Sequence, residues 1–186
     1  MMVAWAVAPE RLLFVVDECG VHTSLSPIYG YAPRGERLHL SVPRNRAKNT
    51  TVLSSMTIEG MGPSLAVEGA TTARVFGTYV EKVLVPSLRA GQIVVVMDNL
   101  GAHRPERIRE LIEQRGCELL YLPSYSPDYN PIEEAFAKIK NLLRKAAARS
   151  KEALVETIGA ALSAVTAADA KGFFEHAGYR SMAQLL

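Results

Sequence analysis

The sequence predicts an α/β domain: a mixed sheet of three antiparallel strands followed by two parallel strands, with helices on both faces. Three observations predict it. Short apolar, β-branched runs joined by Gly- and Pro-rich turns fill the first third of the chain. Beyond residue 70, segments of helical period alternate with further apolar runs. No internal repeat or low-complexity linker divides the 186 residues, a length that suits one domain, read here as 1–186.

Arg11 to Asp17 reads as a buried strand, an apolar run rich in Val and Phe that ends on an acid. A turn-rich stretch follows, with Gly20, Pro27, Gly30, Pro33 and Gly35. Arg37 to Val42 alternates polar and apolar residues and reads as a half-buried strand. Thr50 to Ile58 reads as the third strand. Glu59 to Pro63 then turns the chain, so Ser64 to Val67 can pair back.

Thr71 to Leu88 places Val75, Tyr79, Val80, Val83 and Leu84 at helical spacing, with Thr71 or Thr72 as cap. After Gly91, Gln92 to Met97 is a continuous apolar run, the pattern of a central strand covered on both faces. Pro105 to Gln114 reads as a helix, with Pro at a favoured first-turn position and Gly116 just past its end. Cys117 to Tyr121 reads as another buried strand, and Leu122 to Asn130 as a loop. Pro131 to Ala148 reads as a helix with the core stripe Ile132, Phe136, Ile139 and Leu143. Lys151 to Ala168 reads as a further helix folded back on it, followed by a short helical or irregular tail.

Composition narrows the functional classes. A chain of 186 residues buries roughly 70% of its unfolded surface, so it needs no disulfide or metal staple. Cys19 and Cys117 lie far apart with no CxxC, which argues against a zinc ribbon and suits a reducing, cytoplasmic setting. No segment reaches the ~18 apolar residues of a membrane span. The apolar start, Met1 to Pro9, lacks the basic region of a signal peptide. Net charge is only +2, but its distribution is uneven. Arg34, Arg37, Arg44, Arg46 and Lys48 form one basic segment; Lys138, Lys140, Arg144, Lys145, Arg149 and Lys151 form another. Solvated faces explain such runs equally well. Two of them near an acidic site also suit a polyanionic, metal-bridged substrate.

Three acids carry the chemistry. Asp17 ends an apolar run, which a turn on its own explains more readily than a ligand does. Glu18 is its neighbour, but adjacent strand residues point to opposite faces. Asp98 closes the central strand, where open α/β sheets bind ligands, though Asp-Asn starts turns equally well on its own account. Glu133 sits in Asn130-Pro131-Ile132-Glu133, close to a capping box that would account for the glutamate by helix initiation alone. Glu134 can equally face the site. Lys140 and Arg144 continue the Glu133 face of the helix. Taken together, carboxylates from two strand ends and a helix start suit one or two Mg²⁺ ions, a cation that takes oxygen ligands and keeps several waters.

The strings around these acids are long and specific. Asp98-Asn99-Leu100-Gly101-Ala102-His103, then Leu122-Pro123-Ser124-Tyr125-Ser126-Pro127-Asp128-Tyr129-Asn130-Pro131-Ile132-Glu133, resemble the DDE transposases of the mariner superfamily, most of all its bacterial insertion-sequence branch. Gly30-Tyr31-Ala32-Pro33-Arg34-Gly35 resembles the aromatic-x-Pro-x-Gly element of that family, and the 34 residues between Asp98 and Glu133 match its Asp-to-Glu interval. The resemblance covers roughly Leu12 to Arg144. It implies a ribonuclease-H-like fold and a metal-binding catalytic triad of Asp17, Asp98 and Glu133. It also implies Mg²⁺ or Mn²⁺, as two ions, with nicking at transposon ends and 3′-hydroxyl strand transfer into target DNA.

Asn99, His103, Lys140 and Arg144 are expected to stand behind the ligands or face DNA, and Asn130 and Pro131 to shape the helix start. The expected partner is DNA, with a homodimer and a separate or fused DNA-binding region left open, and a bacterial nucleoid is the expected setting. Family members carry helix-turn-helix regions before the catalytic domain. With the first acid at residue 17, that region is expected to be absent. A non-catalytic remnant that binds nucleic acid, and a different ribonuclease-H-like nuclease, are the competing readings.

Overall fold

The computed structural model describes residues 12–42, 48–96, 105–123 and 126–179. Its centre is a five-stranded sheet of order β3-β2-β1-β4-β5. The strands are β1 (Leu13–Val21), β2 (Thr50–Thr57), β3 (Gly60–Glu68), β4 (Ile93–Val96) and β5 (Glu118–Tyr121). β1 pairs antiparallel with β2, and β2 with β3. β4 lies parallel to both β1 and β5. Three antiparallel strands and two parallel ones are thus present, as expected, but their membership differs.

The segment Arg37 to Val42 forms no strand, and β3 takes the third antiparallel place. Alternation makes a strand only when one face can be buried. Leu38, Leu40 and Val42 instead remain 53%, 54% and 38% exposed, and both edges of β1 are already taken by β2 and β4. The Ile58-Glu59 turn is tight because Gly60 adopts φ 125°, a conformation that side chains resist. β1 runs four residues beyond Asp17, so Asp17 lies within the strand rather than ending it. The ladder to β2 carries it on, pairing Asp17 with Ser54 and Val21 with Thr50.

Helices cover both faces. α1 (Ala73–Tyr79) starts at Thr72, whose hydroxyl accepts from the Val75 N–H, and continues through a π-helical turn at Val80–Leu84. It packs with α2 (Pro105–Glu113) against Phe14, Val16 and Leu53 on one face of the sheet. α3 (Pro131–Ala146), α4 (Lys151–Ser163) and α5 (Ala167–His176) cover the other face, over Leu13, Val15, Cys19 and Val21. Strand periodicity therefore puts Asp17 on the α3 face and Glu18 on the opposite one.

The helix expected over Lys151 to Ala168 is two helices meeting at a 75° bend. Thr166 starts the second: its hydroxyl accepts from the Asp169 N–H while Asp169 accepts from the Thr166 N–H, a complete capping box. β5 is an edge strand and only partly buried, not the fully buried strand its composition suggests.

The stripe Ile132, Phe136, Ile139 and Leu143 is buried as expected and anchors α3 over β1. Phe136 is the largest of these and has no exposed surface. Phe136→Ala should cost about 3–5 kcal/mol, read as a fall in the urea midpoint at unchanged m-value. Among the described residues no single helix is long and apolar enough to cross a membrane.

Candidate metal centre

The site is built where the middle of β1 meets the start of α3. Pro131 opens α3 at its first position and Asn130 stands at the cap. A capping box was the competing account of Glu133, and it does not form: the Asn130 side chain makes no bond to the helix start. Its Nδ2 instead donates to Asp17 Oδ2 at 2.8 Å. The Glu18 backbone N–H donates to Asp17 Oδ1 at 2.7 Å. Both carboxylate oxygens of Asp17 are thereby held, and its orientation is fixed. The Asn130 amide is oriented by this contact, since only its NH₂ can donate to a carboxylate. Asn130 is 3% exposed, and its remaining oxygen, Oδ1, is buried without a partner among the described residues.

Glu133 is exposed on the first turn of α3, close enough for its charge to act on Asp17. Burial pushes the Asp17 carboxyl up to about 7, and the negative charges of Glu133 and Glu18 add to the rise. The hydrogen bonds from the Glu18 N–H and Asn130 oppose it without cancelling it. Two carboxylates held together in this way repel, and an oxygen-coordinated cation relieves the repulsion. The donor set present, two carboxylates and a spare buried amide oxygen, fits a hard divalent ion.

Lys140 lies on the same side of α3, where its charge pulls down the Cys19 thiol that burial pushes up to about 12. Asp17 and Glu133 act on that thiol in the opposite sense. Four residues marked by the sequence, Asp17, Asn130, Glu133 and Lys140, thus gather at one place. Asp98, Asn99 and His103 lie outside the described residues, as do Arg44 and Arg46 of the first basic segment. β4 is described to Val96, two residues before Asp98, with Val96 paired beside Val16. Among the described residues no group of three acidic, His or Cys side chains is placed to hold a metal.

Glu134 does not share the Asp17 site. Its carboxylate pairs with His176 Nδ1 of α5, and this contact raises the His176 pKa. The second basic segment is also partly spoken for. Lys138 bridges to Asp169 at 2.6 Å, and Lys151 pairs with Glu68. Arg149 donates to the backbone oxygens of Thr23 and Leu25 at 2.8 and 2.9 Å, pinning the loop that leaves β1. Arg144 turns to Asn141 at 2.8 Å. Apart from the local Arg144–Asn141 contact, these join residues far apart in the chain, and no spacing in the sequence announces them.

The mixed five-stranded sheet with helices on both faces is of ribonuclease-H-like architecture. The chain belongs to the DDE superfamily endonucleases, whose family model matches residues 12–155. Its structure is similar to that of Mos1 mariner transposase. A pre-cleavage Mos1 transpososome superimposes with a TM-score of 0.71 at 16% identity, covering 88% of this chain and 52% of that one. A Mos1 paired-end complex with Mn gives 0.65 at 18% identity over 88% and 51%. The isolated Mos1 catalytic domain gives 0.61 at 16% identity over 90% and 77%. The chain spans about half the length of the transpososome chains it resembles. No sequence among the curated proteins matches it.

Proposed function

We propose that the chain is the catalytic domain of a transposase that nicks DNA at transposon ends and joins the freed 3′-hydroxyl to target DNA. The observation that carries this is the Asp17 carboxylate, held from both sides and within reach of the Glu133 charge at the start of α3. In this reading Asp17, Asp98 and Glu133 hold two Mg²⁺ or Mn²⁺ ions. When bound, such ions activate the attacking oxygen and stabilise the leaving oxygen at phosphorus. Asp17 is the fixed ligand, because its rotamer is set before any ion arrives. Glu133, exposed on a helix start, is free to reach toward substrate and solvent. Lys140 offers a cation to a phosphate approaching along α3.

The substrate class rests on family membership and on the cations that internal pairing leaves over. Lys140 and Lys145 make no ion pair among the described residues, and Arg34 and Arg37 are exposed. A domain of net charge +2 with few such groups should bind DNA weakly and lose it steeply with salt. DNA ends, a second copy of the chain and a separate DNA-reading region are the proposed partners, in the nucleoid of a bacterial cytoplasm. Asn99 and His103 are proposed to stand behind Asp98 or to face DNA, and Arg144 to follow Lys140 along the substrate.

Supercoiled plasmid nicking in Mn²⁺ tests the proposal. Asp98→Asn should abolish nicking while circular dichroism and the thermal midpoint stay close to wild type. Equal nicking by matched preparations of the two proteins would overturn it.

A further inference from the structure

We infer that Asn130 is a positioning residue of the metal centre: it locks Asp17 in its ligating rotamer and keeps a buried oxygen ready for a water carried by the ion. The inference rests on the proposed role of Asp17 as a ligand, and goes beyond it to a residue that helix chemistry alone would explain.

Two independent observations support it. The first is what the Asn130 side chain does. An asparagine at a helix cap ordinarily accepts from a backbone N–H two or three residues on. Here the helix start is closed without the side chain: the Glu133 N–H reaches the Asn130 backbone oxygen at 3.2 Å, and Pro131 has no N–H to satisfy. The amide is thus released from capping and spent on Asp17 at 2.8 Å, across 113 residues of sequence.

The second is what the side chain leaves undone. Asn130 is 3% exposed, yet among the described residues its Oδ1 has no partner. A buried unpaired acceptor is costly, and native structures keep few of them. Mg²⁺ and Mn²⁺ sites built from a few carboxylates retain several waters, each a hydrogen-bond donor. An acceptor beside Asp17 is satisfied when such an ion brings its water. Residues that orient metal ligands in this way typically change affinity by 10–100-fold when removed.

Calorimetric titration of Mn²⁺ into the full chain tests the inference, with thermal unfolding in chelator alongside. Wild type should bind, and Asp17→Ala should not. Asn130→Ala should bind about tenfold more weakly or worse. Asn130→Ser supplies a cap as good as asparagine but cannot span the distance to Asp17, so it should bind as weakly as Asn130→Ala.

Ser150→Ala is the structural control. The Ser150 hydroxyl caps α4 by accepting from the Ala153 N–H at 3.1 Å, far from any ligand. Its loss should lower the thermal midpoint and leave Mn²⁺ affinity unchanged. Wild-type affinity in Asn130→Ala, recovery in Asn130→Ser, or equal weakening in Ser150→Ala would each overturn the role of Asn130 while leaving Asp17 as ligand. Absence of binding by wild type would overturn both readings together.

Discussion

Asp17→Asn is expected to abolish metal-dependent nicking and, at the same time, to stabilise the protein in chelator above neutral pH. The two effects have one cause. Burial and the neighbouring acids raise the Asp17 carboxyl to about 7, from an ordinary value of 3.8. A carboxyl that holds its proton more tightly when folded contributes stability that is complete below the unfolded pKa. That stability is lost as pH rises through the folded one. Metal-free wild type should therefore lose stability between about pH 4 and pH 7 and then level off.

The asparagine variant carries no charge to lose. The two proteins should match near pH 4, and at pH 8 the variant should be more stable by about 2–3 kcal/mol, allowing for residual solvent around Asp17. Rotating the Asn130 amide lets its unpaired Oδ1 accept from the new side-chain NH₂, so the exchange leaves no extra orphan. Adding Mn²⁺ should reverse the order, because binding stabilises only the protein that still has the ligand. Loss of a metal ligand removes several kcal/mol of transition-state stabilisation, on the order of a thousandfold in rate. Denaturant curves in chelator at pH 4 and pH 8, with nicking rates beside them, read both effects. A variant no more stable than wild type at pH 8 would show that Asp17 is not held under repulsion.

The legible parts of the molecule were those fixed by local chemistry. β2, β4 and β5, the Thr72 cap, Gly116 beyond α2 and the core stripe of α3 all follow from period, propensity and turn residues. The misreadings arose where tertiary contacts decide. Arg37 to Val42 has strand alternation, but no free edge of β1 remained to receive it. Thr166 reads as an ordinary residue inside an apolar helix until Asp169, three residues on, completes the box that starts α5. At the site the balance was similar. The sequence marked Asp17 and Glu133, but assigned Asn130 to the helix start. A hydrogen bond from residue 130 to residue 17 leaves no periodic trace, whereas Asn-Pro has a familiar local explanation. Glu133 and Glu134 were inseparable for the same reason, since helix rotation alone gives either one access to the sheet.

That ambiguity yields the second large effect. Glu133→Gln should lower Mn²⁺-dependent nicking on the order of a thousandfold, by the same loss of transition-state stabilisation, whereas Glu134→Gln should change it less than about threefold. The two side chains are about 100° apart around α3, and each has a different partner. Glu133 is the one whose charge is felt by Asp17, and Glu134 faces α5 and meets His176. Removing the Glu133 charge should also relieve part of the repulsion on Asp17, so Glu133→Gln should unfold later than wild type in chelator at pH 8. Removing the Glu134 charge does nothing for Asp17. It withdraws the partner that raises His176, so that imidazole should titrate lower, visible in its ring-proton shifts by NMR. The pair of variants therefore separates in three measurements: rate, metal-free stability and histidine titration. If Glu134→Gln lost activity as fully as Glu133→Gln, with its His176 signal unmoved, the side-by-side placement of Asp17 and Glu133 would no longer account for the chemistry.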